Sequence, residues 1–175
     1  MKFNLIASVN ILERTPAVLN ALLKDLPGGW TMNNEGGNTW SPHLILGHLI
    51  EGEKTDWIVR AEIILGDRQN KEFEPFNMTT HLQDTVGRSV NELLNDFTLL
   101  REDNLRKLNV FNITDDQFEL TGIHPEFGKI TLRQLLSTWV THDLGHIAQI
   151  TRVMAKQYKD EVGPWKKYLG ILKDR

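Results

Sequence analysis

The chain has no cysteine among its 175 residues. That excludes disulfides, thiolate metal ligands and a cysteine nucleophile, and it fits a cytoplasmic protein. Basic runs are missing too. Lys166-Lys167 is a mere pair, and the net charge of −3 argues against a nucleic-acid partner, whose footprint is a basic excess. No hydrophobic run approaches a membrane span. The start, Met1 to Ala7, is broken by Asn4 and followed by Asn10, so it lacks the continuous apolar core of a signal peptide. Repeats and low-complexity tracts are also absent. What remains is 40% hydrophobic and 25% charged. That is ordinary for a soluble globular protein and enough to build a core in one domain over residues 1–175.

Apolar residues recur at helical steps in four stretches. Residues 4–25 read as helical, interrupted at Thr15-Pro16, where threonine caps a fresh segment or proline kinks the helix. Pro27-Gly28-Gly29 ends that stretch, and residues 28–40 form a polar loop closing on Trp40. Ser41-Pro42, a capping serine with proline in the first turn, opens a second helix to about Leu65. Residues 69–85 are a long connection. Ser89-Val90-Asn91-Glu92 is a capping box opening a third helix to about Leu108. A second long connection, 109–130, holds a single turn near Thr114 and a turn or short extended piece from His124 to Ile130. Thr131-Leu132-Arg133-Gln134, another capping box, opens the last helix to about Tyr158. Four amphipathic helices without a convincing strand pattern predict an all-α, four-helix bundle whose two long connections are crossovers.

The last helix carries the chemistry. His142 and His146 are four residues apart, so they stand one turn apart on the face shared with Leu135, Trp139, Gln149 and Val153. Imidazoles buried on an apolar face are costly unless their nitrogens are satisfied. Two readings follow. The pair is either a set of core histidines bonded to neighbours, or two ligands of one divalent ion. His48, also on the inward face of its helix, supplies a third candidate ligand, because bundle metal sites are built from facing helices. Gly47 and Gly52 flank it, which points to needed space or to close helix packing. Three histidines without a fourth protein ligand make an open site of catalytic type. Glu51 and Gln149, within a turn of the ligands, are the candidate catalytic residues, as outer contacts or for proton transfer. Asp143 points about 100° away from His142 and is expected to cap or face solvent. His43 lies off the His48 face, His81 is expected at the surface, and His124 is expected in a turn with reach to a bundle end.

Trp40-Ser41-Pro42 followed by Gly47-His48-Leu49, then His124-Pro125-Glu126-Phe127-Gly128, then Trp139, His142-Asp143, His146 and Gln149-Ile150 together resemble the DinB-like superfamily. Gln157-Tyr158 and Val162-Gly163-Pro164-Trp165 are similar to its members as well, so the likeness covers nearly the whole chain. The resemblance implies an up-up-down-down bundle, often a homodimer. It also implies a divalent metal, zinc or nickel first and iron or manganese next, on residues matching His48, His142 and His146. Characterised relatives include S-transferases using low-molecular-weight thiols such as bacillithiol, mycothiol or glutathione, and others are described as metal-dependent hydrolases.

The fold does not choose among these chemistries. Thiol transfer is the leading expectation: a small-molecule electrophile as substrate, a thiol cosubstrate, and a cationic pocket for its carboxylates, with Arg60, Arg101 and Arg152 the candidates. Hydrolysis by a metal-bound water is the second, with Glu51 managing protons. A non-catalytic metal-binding or stress-response role is the third. His142-Asp143-Leu144-Gly145-His146 differs from the H-E-x-x-H protease motif in its shorter acid.

Overall fold

The computed structural model describes residues 1–173; the last two residues of the expected domain lie outside the described residues. Helices α1 (Leu5–Leu12) and α2 (Thr15–Leu23) form the first arm, followed by a one-turn helix α3 (Gly28–Thr31) in what was expected to be loop. The second arm is α4 (Pro42–Thr55) and α5 (Trp57–Leu65), the third is α7 (Val90–Val110) and the fourth is α8 (Leu132–Lys156). A short helix α6 (Thr80–Asp84) lies in the connection between α5 and α7. Among the described residues, no helix is long and apolar enough to cross a membrane.

The capping chemistry acts where the residue types put it. Ser41 Oγ accepts from Leu44 N at 3.3 Å, and Pro42 needs no partner for its missing N–H in the first turn. Ser89 and Glu92 satisfy each other's orphan amides at the start of α7, and Thr131 and Gln134 do the same for α8.

The contacts fix the helix directions. Asp25 N donates to Asn91 Oδ1 while Arg101 Nη1 reaches Leu12 O, so the first arm and α7 run antiparallel. His43 Nε2 pairs with Arg88 O and Asn104 Nδ2 donates to Glu53, so α4 and α7 run parallel. Trp139 Nε1 donates to Glu53 Oε1 while His48 meets His142, so α8 runs antiparallel to α4. The four-helix bundle stands as expected, but its order is up, down, down, up instead of up-up-down-down. The connection 66–89 carries the chain back along the bundle to start α7 beside α4, and 111–131 spans the end where Leu108 and Leu132 share a core cluster.

Three further expectations need correction. The helix expected from Ser41 to Leu65 breaks at Asp56, because Trp57 turns back over Gly52, where an added Cβ would lie 3.2 Å from the indole Nε1. That offset lets Trp57 stack on Trp139 at 5.8 Å. The bundle also carries a two-stranded antiparallel sheet, β1 (Thr121–His124) and β2 (Gly128–Thr131), with Gly122 opposite Ile130. Segments of four residues were too short to show an alternating pattern. Phe73 seats itself against Gly122, whose absent Cβ would lie 2.3 Å from the ring, and Ile123 exchanges backbone bonds with Lys71 and Phe73.

The third correction concerns Asp143, which neither caps nor meets solvent. It is fully buried and binds Arg101 Nη1 and Nη2 at 2.7 and 3.1 Å. Arg101 also donates to Glu53 Oε1 at 2.8 Å, and Asn104 and Trp139 hold the same glutamate. This network divides two apolar clusters. Leu12, Trp57, Leu132 and Trp139 belong to the one at the hairpin end, and Leu19, Ile45, Phe97 and Ile150 to the other. Burial disfavours the guanidinium charge, but the two carboxylates outweigh it and raise Arg101 above its ordinary range.

Candidate metal centre

Just beside that charged layer, α4 and α8 bring three imidazoles together. His48 Nε2 lies 3.0 Å from His142 Nε2, and His146 Nε2 lies 3.1 Å from the same atom. All three nitrogens fall within 4.8 Å of one another. The i, i+4 step on α8 aligns His142 and His146, and the antiparallel crossing of α4 delivers His48 at their level. Asp143, one residue on, points about 100° away around the helix and is gripped by Arg101.

The walls are aromatic. Trp40 and Phe76 contact the His48 ring at 5.0 and 5.3 Å, and Trp57 meets His142 edge-on at 5.0 Å. Burial, reinforced by the neighbouring imidazoles, pushes His48 down to about 3 and His142 to about 2. His146 is also lowered by burial, against the opposing pull of Gln149 and Asp143. All three are therefore neutral at physiological pH, the state a ligand requires.

Hydrogen bonding among themselves cannot satisfy this trio. His142 Nε2 faces two other Nε2 atoms, and a single ring nitrogen either donates one proton or accepts one. A cation in their midst uses all three lone pairs at once. Gln149 strengthens the fit, since its Oε1 sits 2.8 Å from His146 Nδ1 and holds the proton there, leaving Nε2 free to ligate. The residues thus suit a divalent metal ion.

The other expected residues are distributed differently. Glu51 is buried on α4, close enough to Asp56 to raise its pKa. His43 is buried and bonded to Arg88 O, away from the trio. His124 sits at the end of β1, its Nδ1 accepting from the amides of Glu126 and Phe127 in the hairpin turn. The three arginines do not converge on a pocket. Arg60 pairs with Asp56 at 2.7 Å, Arg101 is locked in the core, and Arg152 Nε binds Glu35 Oε1 at 2.6 Å. His81, expected at the surface, is fully buried and edge-on to Trp40 at 4.6 Å. The space at Gly47 explains this: α6 packs so close that an added Cβ would lie 2.3 Å from Thr85 Cγ2 and 3.4 Å from His81 O.

Asp56 was not singled out by its sequence context. Burial pushes its carboxyl up to about 6, against the pull of Arg60 and with Glu51 adding to the rise. Its Oδ1 lies 2.7 Å from Arg60 Nη2 in an ion pair, yet the angle does not qualify as a hydrogen bond.

No protein of curated function matches the chain. Among solved structures it is similar to YfiT from Bacillus subtilis, described as "a probable metal-dependent hydrolase with an unusual four-helix bundle topology". The TM-score is 0.73 at 20% identity, over 90% of this chain and 87% of that one. At such identity the likeness shows a shared fold. The profile of the DinB superfamily matches residues 11–150, a stretch that includes all three histidines. This chain belongs to the DinB superfamily.

Proposed function

We propose that this protein is a divalent-metal-dependent enzyme that transfers a low-molecular-weight thiol to a small electrophilic substrate, with His48, His142 and His146 as ligands. The observation that carries the reading is the convergence of three neutral Nε2 atoms, joined by no carboxylate among the described residues. Three protein ligands leave a position for an exogenous group. Zinc or nickel suits the all-imidazole donor set first, with iron or manganese next. A bound ion supplies Lewis acidity and depresses the pKa of a thiol presented to it. The chain has no sulfur nucleophile of its own, so the thiol arrives as cosubstrate; its sulfur forms the new S–C bond as the leaving group departs. The thiol releases its proton to solvent and attacks as a thiolate, and no carboxylate joins the three nitrogens as a ligand among the described residues. Gln149 orients His146, and Trp40, Phe76 and Trp57 pack against the ligand rings. Kinship with the superfamily alone supports a cytoplasmic homodimer.

Hydrolysis is the second reading, and the description of YfiT favours it.

Metal content of the untagged protein tests the site, alongside His48→Ala and His146→Ala. About one ion per chain, lost in both variants, is the expected result for a three-ligand centre. Loaded protein is then offered thiols with an activated halide, and separately esters and amides. Turnover only with thiol upholds the first reading, and turnover without it transfers the case to hydrolysis. No metal after incubation with zinc, nickel, manganese or iron would refute both.

A further inference from the structure

Buried imidazole nitrogens need partners, and besides His142 Nδ1 two adjacent rings leave nitrogens without one. His48 Nδ1 is buried and unpaired, and so are both nitrogens of His81. The two rings lie 5.6 Å apart, centre to centre, at 72°. Each orphaned nitrogen has lost its hydration without gaining a partner in return. A histidine that ligates through Nε2 carries its proton on Nδ1 and donates it outward, which sets both its tautomer and its ring orientation. His146 has such an acceptor in Gln149. For His48, the neutral polar group seated against its ring is His81.

We propose that His81 is the positioning residue of the metal centre: it accepts the His48 Nδ1–H, directly after a small ring rotation or through one bridging water, and so aims His48 Nε2 at the ion. This rests on the three-histidine metal site proposed above, and it assigns His81 no contact with the ion or substrate. A single water linking the rings would have both as partners, which meets the least a buried water requires.

The chain around His81 is built for that placement. Trp40 packs against both rings, at 5.0 Å from His48 and 4.6 Å from His81, so the two are held in one aromatic enclosure. Thr85 Oγ1 donates to His81 O at 2.9 Å and pins the end of α6. Gly47, the residue before His48, is what admits α6 to this depth. His48 on α4 faces the His81 ring, and the Thr85 hydroxyl at the end of α6 is spent on the backbone.

The test is a zinc titration against a chromophoric chelator on the parent, His81→Phe and His81→Gln. Phenylalanine keeps the ring's bulk and removes both nitrogens; glutamine restores an acceptor. Loss of an outer partner weakens metal affinity about 10–100-fold, so His81→Phe is expected to fall by that factor while His81→Gln stays near the parent. Gly47→Ala is expected to mimic His81→Phe by displacing α6, and Thr85→Ser, which deletes the clashing methyl and keeps the hydroxyl, to restore affinity in the double variant. His81→Phe that folds normally and binds zinc as tightly as the parent overturns the proposal. Nitrogen-15 correlation spectra of the metal-free proteins provide a separate arm. The Nδ1–H tautomer of His48 in the parent, lost in His81→Phe, supports the contact, and an unchanged tautomer overturns it. Should the parent itself bind no zinc, the metal-site reading fails, and the spectra still decide the contact between the two rings.

Discussion

Replacing Arg101 by Met removes one cation from between two buried carboxylates and keeps an unbranched apolar stem in its place. The guanidinium centre lies 4.9 and 5.0 Å from the Phe97 and Trp139 rings, and the side chain is 1% exposed, facing Glu53 and Asp143 side chains at 0%. After substitution Glu53 keeps Asn104 and Trp139 as donors, while the bonds from Arg101 to Asp143 are both gone. Breaking a buried pair from one side costs about 3–5 kcal/mol, because a charge is left without compensation. Urea unfolding measures it: with a slope of about 2 kcal/mol per molar, the midpoint falls by about 2 M at unchanged slope. A loss under about 1 kcal/mol would refute the claim that Arg101 compensates the buried carboxylates of this layer.

The metal-free protein should lose stability as pH falls from about 6.5 toward 3: His48 and His142 are depressed to about 3 and 2 when folded, so the unfolded chain takes up their protons first. Unfolding series from pH 7 to 4 on the parent and His142→Asn check this, and the variant's slope should be shallower by up to about 1.4 kcal/mol per pH unit. Gln149→Ala should weaken zinc binding about 10–100-fold without unfolding the bundle, as read by chelator competition and circular dichroism, because His146 loses its tautomer lock. Gly122→Ala forces a Cβ to within 2.3 Å of the Phe73 ring and should cost about 1–3 kcal/mol, seen as a lower melting temperature; an unchanged value would mean that Phe73 swings aside freely.

Much of this was legible beforehand because its causes are local. Helix starts at Ser41, Ser89 and Thr131 follow from caps whose donors and acceptors lie within three residues, and the His142–His146 pairing follows from helical periodicity. Helix direction is not local. It depends on which faces meet, so up, down, down, up could not be read from connection lengths. Asp143 was misread because its partner, Arg101, is 42 positions away, and a charged residue with unknown partners looks solvated. His81 was misread for a similar reason: a polar connection gives no sign that Gly47 has left it a recess. The one available hint was Gly47 itself, a glycine inside a helix, whose space proved to belong to packing.

The proposed ligands His48 and His142 are separated by 94 positions in the chain. An unfolded or half-folded chain does not hold them together, so an ion that needs all three imidazoles binds the completed bundle and not its precursors. Metal present at about 100 times its dissociation constant then adds about 2.7 kcal/mol to the apparent stability. The melting temperature becomes a readout of ion identity: a panel of divalent salts, ranked by the rise each one produces, orders the candidate metals before any substrate is known.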